Sequence, residues 1–533
     1  MFVGAGGLLL GLLPRFRYTG LIAVAAAAGA TVALLFMALR LPVAATLSRW
    51  APVGLFGVGL TLTVDGLAWL FGLGVLAVAL SALVTGLARP GGRRVGTRFT
   101  MLLLTGCGLI SIFSDNLLTR VIAWALLDVI YFLALLFLAE AEGLEPQAVL
   151  NLAFNSVGTL LAVGAAVMIS RTSPTLSLQD AAITSQSTLL ITLAAVFRLG
   201  LFPLHLGLPT EINIRQGLGS LLRLIPAAVA LETLSRLAVF GFAEPIRLWF
   251  TVFGLAAALV GALQLWNVAD PRRGLAYVII AQSGIALLAG LWGGAQAALS
   301  LAATALTLLL GSALVFLANG HDEQRPWGSL LSGLGAAAIL GLPGTLGFLG
   351  VGRLYSSLLA AGGWAWLVLA AVVVAQTLLA AGLLYTLFWA GQPMSGDPAL
   401  VAAYWGGLSL PAILLVATAV FGDLIADTLG LPAPGLLGFA GLGSVVAVGL
   451  VFLTGGAGFA LWRFQDVVRG GSSALTGASL ASLARLDWLY RLVWGVIRGV
   501  GSVVDTLANV LEGEGAILWA LVAGVLVWLL VKQ

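Results

Sequence analysis

One apolar stretch of this chain carries an arginine, a proline and a histidine close together. Arg198 lies near the end of the run, Pro203 interrupts it, and His205 follows as one of only two histidines in the sequence. Arginine pairs with carboxylates, proline breaks a helix, and histidine alone titrates near neutrality unaided. Inside a membrane each of these residues is costly, so the combination is typical of ion movement or assembly.

Further ionisable residues lie in apolar runs and need partners, because a charge at the centre of a membrane helix costs ~2.5–3.5 kcal/mol. Glu232 and Arg236 are four residues apart and share a helix face, so we expect a local pair. Arg223 lies on the opposite side of that helix and must face a polar cavity or a neighbouring subunit. We expect Asp128 to pair with Arg198 between helices.

Each of these residues also has a structural interpretation. Asp128 with Arg198, and Glu232 with Arg236, would then be ion pairs without transport. His205 would be a capping or packing residue after the break, instead of a pH-responsive switch. Two further residues are expected to be structural or solvated. Asp65 is expected to hydrogen-bond at a helix start, and His321 to be solvated in a charged loop that is no metal site.

The composition places these residues in a membrane protein. The chain has 533 residues, of which 61% are hydrophobic and 9% charged, and its mean hydropathy is +1.10. Soluble domains carry roughly 25% charged residues. Apolar runs of ~18 residues or more recur along the chain, which predicts a polytopic, all-α membrane protein. The single cysteine, Cys107, excludes a disulfide or a cysteine-based metal site within the chain.

The apolar runs predict about 16 spans. They lie near 2–13, 18–39, 58–88, 99–114, 116–139, 147–170, 187–208, 217–240, 248–268, 275–293, 295–318, 327–350, 362–390, 403–427, 434–462 and 514–531. Most arginines follow odd-numbered spans, as Arg93, Arg94, Arg272 and Arg273 do, and the positive-inside rule puts these loops in the cytoplasm. Both termini are then outside, and residues 2–13 are a short first span instead of a signal peptide.

Residues 470–531 differ in pattern from the rest. A Gly/Ser-rich stretch at 470–481 precedes an amphipathic segment, 483–512, which we expect to lie along the cytoplasmic side of the membrane or along a partner. The final span, 514–531, follows it.

An internal repeat is indicated by two interrupted runs. Leu199-Gly200-Leu201-Phe202-Pro203 recurs in outline as Leu340-Gly341-Leu342-Pro343. Matched broken helices in two halves, here at Pro203 and Pro343, point to a transporter site at a repeat interface.

Six segments in order resemble motifs of the antiporter-like membrane subunits of complex I. They are Val58–Leu67, Asp115–Leu118 leading to Trp124, Phe202–Pro209, Asp270–Tyr277, Gln282–Gly284 and Gly341–Phe348. The family includes subunits of NADH-quinone oxidoreductase and of Mrp-type cation/proton antiporters. The resemblance implies two inverted five-helix repeats, at 99–240 and 241–391. Peripheral helices at 1–98 and C-terminal helices at 392–533 flank them.

The chain departs from the family's proton relay. A glutamate and a lysine of the family appear here as Ala125 and Arg198, with Asp128 one turn on as a partial substitute. The family's central histidine and lysine align with Leu308 and Ser312. The resemblance implies a second broken-helix region at 364–389, which holds no charge. Arginine is effectively never deprotonated, so it is a poor proton carrier.

Three functions stay open from the sequence. The chain is a proton or cation translocation module of a complex I-like or Mrp-like assembly with a partly lost relay, a non-pumping brace, or the membrane subunit of an inorganic-carbon uptake complex. The resemblance implies a bacterial cytoplasmic membrane, with other membrane subunits and lipids as partners. We expect no catalysis by this chain alone, no cofactor or metal, no nucleic acid, and neither quinone nor NADH bound by it.

Overall fold

The computed structural model describes most of the chain up to residue 465. The described residues are 3–4, 6–7, 18–47, 59–88, 95–138, 145–173, 176–178, 183–208, 216–268, 270–318, 321–322, 326–388, 392–393, 397–428 and 442–465, with single positions at 495, 498, 499, 502 and 528. The chain divides into two units, 1–465 and 466–533, and the elements below belong to the first. The predicted amphipathic segment 483–512, the last span 514–531 and the first span 2–13 lie largely outside the described residues.

Helices dominate the described residues. The first nine are α1 Thr19–Met37, α2 Gly66–Ala88, α3 Val95–Ile112, α4 Leu117–Leu138, α5 Glu145–Ser170, α6 Ser185–Leu199, α7 Gln216–Ala238, α8 Glu244–Asn267 and α9 Gly274–Trp292. The others are α10 Ala297–Ala318, α11 Pro326–Ile339, α12 Leu346–Ala361, α13 Ala365–Leu387, α14 Pro398–Val420, α15 Gly422–Thr428 and α16 Leu442–Arg463. Twelve helices in this part of the chain are long and apolar enough to cross a membrane. The chain is therefore an integral membrane protein, and the total of about 16 spans stays a prediction.

Two short strand pairs are present, although the sequence predicts an all-α protein. β1 (Val43–Leu47) pairs antiparallel with β2 (Leu60–Val64), in a register that sets Val43 opposite Val64. β3 (His321–Asp322) pairs in parallel with β4 (Gln392–Pro393). The predicted span 58–88 is thus wrong at its start, because Thr61 and Thr63 alternate with apolar residues and favour an extended chain.

Three helices form the centre of the bundle, and glycines allow one of them to approach a neighbouring helix closely. α7, α9 and α10 are buried almost throughout and pack on one another, while α1, α14 and α16 are largely exposed around them. α8 and α9 touch through their backbones: a Cβ added at Gly261 would lie 2.5 Å from the Ala281 nitrogen, and one at Gly284 2.5 Å from the Gly254 oxygen. Small residues at such crossings are what membrane helices use to approach closely.

Both predicted breaks are present, and they have the same local geometry. α6 ends at Gly200, whose φ is +58°, and α11 ends just before Gly341, whose φ is +70°. In each, the glycine N–H donates three residues back and the following leucine N–H, of Leu201 or Leu342, five residues back. This is the Schellman ending, which requires a left-handed residue and therefore favours glycine.

The predicted boundaries need three corrections around the breaks. The span 327–350 is two helices, α11 and α12, separated at 340–345. The predicted broken-helix region 364–389 is unbroken where it is described as helix, because α13 runs without interruption from Ala365 to Leu387. The span 403–427 is α14 followed by the short α15. The break predicted at Pro343 is present, and the helix before it ends at Gly341 with a left-handed residue.

Candidate functional site

Asp128 and Arg198 form a buried ion pair between α4 and α6. Arg198 Nη1 donates to Asp128 Oδ1 at 2.8 Å and Nη2 donates to Oδ2 at 2.9 Å, so the contact is bidentate. Both side chains are buried. Two parallel charge-assisted hydrogen bonds make this the strongest geometry an arginine and a carboxylate adopt.

Two neighbours complete the surroundings of the pair. Thr159 of α5 accepts a hydrogen bond from Arg198 Nη2 and donates one to Asp128 Oδ2, at 3.2 and 3.1 Å. The indole of Trp124 lies under the guanidinium at 4.4 Å from its ring centroid. A cation over an aromatic face is stabilised further, most strongly where water is excluded.

Local sequence explains how these groups reach one another. Trp124 and Asp128 are four residues apart on α4 and therefore share a face. Arg198 lies in the last turn of α6, where the carbonyl end of the helix favours a cation. Gly200 fixes that end, since a Cβ there would lie 2.7 Å from Leu208.

A stripe of uncharged polar residues on α5 runs along the first break to the ion pair. Its members recur every fourth residue: Gln147, Asn151, Asn155 and Thr159. Asn151 donates to the Gly207 oxygen at 2.6 Å, Gln147 donates to the Leu206 oxygen at 2.7 Å, and Asn155 donates to the Asn151 oxygen. Side chains of α5 therefore satisfy carbonyls that the interrupted helix leaves without backbone partners.

A second charged cluster, the tetrad, joins Asp65, Arg120, Glu232 and Arg236. Arg120 donates to Glu232 Oε2 at 2.6 Å and to Thr233 Oγ1 at 2.6 Å, and neither Arg120 nor Glu232 is exposed. Arg236 Nε donates to Glu232 Oε1, and its two terminal nitrogens donate to Asp65 at 2.7 and 3.1 Å. The signs alternate along the tetrad, so each buried charge has an opposite neighbour.

Asp65 holds the tetrad at the start of α2, and also caps that helix. Its Oδ1 accepts from the Ala68 N–H at 2.8 Å, so the predicted helix-start hydrogen bond forms. Burial works to raise the pKa of this carboxyl, but the charge and hydrogen bonds of Arg236, with the Ala68 N–H, hold that pKa below its usual value.

The tetrad and the ion pair share one helix. Arg120, Trp124 and Asp128 are spaced by four residues along α4, which places Arg120 and Asp128 on one face about 12 Å apart along the axis. The sequence analysis did not single out Arg120, although it is a charge inside a predicted span. Its partner Glu232 lies on α7, far along the chain, so local spacing gives no sign of the pair.

The structure places the other two candidates apart from these clusters. Arg223, buried on α7, donates to the Gly219 oxygen at 3.3 Å and interacts electrostatically with Tyr131. His205 begins a single 3-10 turn after the break and stacks on Phe202, with ring centroids 5.3 Å apart. The choice between a packing role and a pH-responsive role for His205 stays a prediction.

The helices of the predicted second repeat, 241–391, differ in polar content from those of the predicted first repeat. α9, α10 and α13 contain no Asp, Glu, Lys, Arg or His. Gln282 of α9 donates to the Ile339 oxygen at 2.7 Å, at the second break. Gln376 of α13 is fully buried, and neither its oxygen nor its nitrogen has a hydrogen-bond partner within the described part of the chain.

The fold and the charged helix interior define a class: polytopic membrane proteins with two broken helices. No protein-family profile matches the chain. Among curated proteins, it is 31% identical over 202 residues to NADH-quinone oxidoreductase subunit N 2 of Sorangium cellulosum, a match covering 33% of this chain and 39% of that protein. It is 28% identical over 290 residues to NADH-quinone oxidoreductase subunit N of Salinispora arenicola, covering 51% and 55%. The chain therefore spans about half or less of the length of these relatives.

Solved structures share the fold. A chain of the Mrp complex from Dietzia sp. DQ12-45-1b superposes with a TM-score of 0.80 at 21% identity, covering 100% of this chain and 62% of that one. A chain of the membrane-bound sulfane sulfur reductase, an archaeal respiratory membrane complex, gives 0.74 at 16% identity and covers 100% and 99%. The comparisons agree with the resemblance seen in the motifs: the chain is similar in sequence to NADH-quinone oxidoreductase subunit N and shares its fold with chains of the Mrp complex and of the membrane-bound sulfane sulfur reductase.

Proposed function

We propose that the chain is a membrane subunit of a complex I-like or Mrp-like assembly and serves proton or cation translocation with a partly lost relay. Its relatives carry the name NADH-quinone oxidoreductase subunit N, and its structural neighbours are chains of multisubunit membrane complexes. Other membrane subunits are then its partners. The setting proposed is a bacterial cytoplasmic membrane with both termini outside, which the distribution of arginines supports.

The bidentate contact of Asp128 with Arg198 carries this proposal. Where the family has a lysine, this chain has a guanidinium that keeps its proton. The carboxylate of the pair is that of Asp128, and it is the counter-charge of a buried arginine.

The polar stripe on α5 would allow water or ions to approach the ion pair from one end of the helix. Amide and hydroxyl groups at Asn151, Asn155 and Thr159 hydrogen-bond without titrating, so they suit water or ions and do not store protons. The stripe ends at Asp128, and translocation through this chain would use that carboxylate.

A second candidate function is a non-pumping brace. One observation favours it: α9, α10 and α13 contain no Asp, Glu, Lys, Arg or His, so these three helices offer no carboxylate, amine or imidazole to continue a proton path. In this function the ion pair and the tetrad fix helices against one another while partner subunits transport ions. The carbon-uptake alternative stays a hypothesis, which the copurification of a zinc protein would support.

Proton movement in vesicles separates the two functions. The assembly purified through the full-length chain is reconstituted, and proton uptake is followed with a pH-sensitive dye for the parent and for Asp128→Asn. If protons pass through this chain, we expect the rate of proton uptake in the variant to fall by at least roughly tenfold, because a proton-exchanging group is lost. Asp427→Asn removes an exposed carboxylate of α15 and is the matched control, expected to leave the rate unchanged.

Assembly must be checked in the same preparations, because Asp128→Asn also breaks a buried pair. Equal uptake by the parent and by an intact Asp128→Asn assembly contradicts translocation through this chain and supports the brace. A loss of uptake in an intact assembly contradicts the brace.

A further inference from the structure

An open cavity lies where four helix ends meet. Its volume is about 320 Å³, and Arg247, Trp292, Ser357 and Trp364 are among its lining residues. These residues belong to the first turn of α8, the end of α9, the last turns of α12 and the residue before α13. Helix ends of this length and hydropathy lie at the level of lipid headgroups.

Tryptophans surround the cavity. The rings of Trp292 and Trp364 meet edge to face, with centroids 4.9 Å apart. Trp249 and Trp366 stand nearby in sequence with 67% and 52% of their surface exposed. Tryptophan is enriched at the membrane–water boundary, so this cluster places the cavity at that boundary independently of the helix ends.

One charged residue, Arg247, lines the cavity, and its ion-pair partner Glu244 lies three residues before it on α8. The Arg247 guanidinium lies 4.8 Å from the Trp292 ring centroid and donates to Glu244, whose side chain is 73% exposed. The buried Nε–H of Arg247 has no hydrogen-bond partner within the described residues. An arginine offers five N–H donors in a planar fork that matches phosphate oxygens. A phosphate therefore fits beside Arg247, and Glu244 would meet a positive group.

An apolar surface continues from the cavity along the neighbouring helices. Leu248 of α8 and Leu367 of α13 are 51% and 74% exposed in the first turns of their helices. Acyl chains cover such surfaces in a bilayer. A ligand with a phosphate, a cationic group and two apolar chains matches the charges and the surface together.

We propose that this cavity binds the phosphoethanolamine headgroup of a phospholipid. The phosphate accepts hydrogen bonds from Arg247, the ammonium lies by Glu244 and the face of Trp364, and the acyl chains follow α8 and α13. A cation near a tryptophan face is stabilised by the ring, which suits the ammonium end of the headgroup.

Native mass spectrometry of the assembly containing the full-length chain tests the site. The detergent-solubilised assembly is titrated with phosphatidylethanolamine, phosphatidylglycerol or inorganic phosphate. We expect phosphatidylethanolamine to bind more tightly than phosphatidylglycerol, and inorganic phosphate not to displace it. Arg247→Gln is expected to weaken lipid binding roughly tenfold, since it removes charge-assisted hydrogen bonds.

Two further variants keep the result decisive. Glu244→Gln should retain a lipid but lose the preference for phosphatidylethanolamine over phosphatidylglycerol. Arg171→Gln, which changes an exposed arginine after α5, is the control and should bind as the parent does. Unchanged binding in Arg247→Gln, displacement by inorganic phosphate, or no preference between the two lipids in the parent would each overturn the proposal. None of these outcomes depends on proton transport.

Discussion

A single arginine, Arg198, dominates the contacts of the buried ion pair. Arg198 is held at two nitrogens by Asp128, bridged by Thr159 and covered by Trp124. Each contact favours the charged guanidinium, which already keeps its proton in proteins. The residue-level arrangement is therefore one that fixes two helices more readily than it moves a proton.

Removing one member of this pair should be more damaging than removing both. Asp128→Asn alone is expected to lower the free energy of unfolding by about 3–5 kcal/mol, because it leaves a buried arginine without its counter-charge. Asp128→Leu combined with Arg198→Met should cost less, since no charge is then left unpaired. The measurement is the thermal stability of the purified chain in detergent, with Thr159→Val as a milder control expected to cost about 1 kcal/mol. Equal losses for the single and the double variants would contradict the prediction that an unpaired buried arginine causes the larger loss.

The Asp128–Arg198 pair could be predicted from the sequence because each member lies four residues from a family motif, Asp128 after Trp124 and Arg198 before Phe202. Sequence reasoning also found Glu232 with Arg236, which follows from a spacing of four residues on one helix. It missed the link from Glu232 to Arg120, and that from Arg236 to Asp65, because contacts between distant helices leave no local periodicity. The sequence did contain a sign of these contacts. Asp65 and Arg120 are opposite charges within predicted spans, and the predicted pairing of Glu232 with Arg236 assigns neither of them.

Among the elements, the two breaks were the most predictable feature. The sequence Leu-Gly-Leu occurs at 199–201 and again at 340–342. Its glycine favours a helix end at each place, since only glycine adopts the left-handed ending at low cost. The helix pairings around them were not predictable, because apolar composition all round a helix does not indicate which face meets which neighbour. The proposed inversion of the two five-helix repeats stays a prediction.

The crossing of α8 and α9 gives an element-level prediction. Gly261→Ala places a methyl group 2.5 Å from the Ala281 nitrogen, so the helices must separate. We expect overpacking to cost about 1–3 kcal/mol, seen as a lower apparent melting temperature. Gly449→Ala in α16 is the matched control, since nothing lies within 4 Å of its added Cβ and stability should hold or rise. Similar effects at both positions would contradict a close contact at Gly261.

Across the whole molecule, charge is distributed unevenly between the two halves. The ion pair and the tetrad belong to α4, α6, α7 and the start of α2, whereas the central helices of the second half are uncharged. A chain that exchanges protons along its full length needs titratable groups in both halves. This distribution was readable from the sequence, but the complete pairing of the first-half charges required the fold.

The buried amide of Gln376 gives a prediction at this scale. It is fully buried with no hydrogen-bond partner among the described residues, so it adds no protein contact that would justify its desolvation. Gln376→Leu, close in volume, should therefore raise stability by about 1 kcal/mol, read as a higher apparent melting temperature. Gln282→Leu is the contrasting variant and should be destabilising, since it removes the donor to the Ile339 oxygen. A loss of stability in Gln376→Leu would mean that internal water or an ion satisfies the amide.

The alternating signs of the tetrad have a consequence for the response of the protein to voltage. Two arginines and two carboxylates carry no net charge, so a transmembrane potential exerts no net force on the group as a unit. A single elementary charge crossing the field would change its energy by about 2.3 kcal/mol per 100 mV. The tetrad thus joins the start of α2 with α4 and α7 without adding a net charge that an energised membrane would pull across the field.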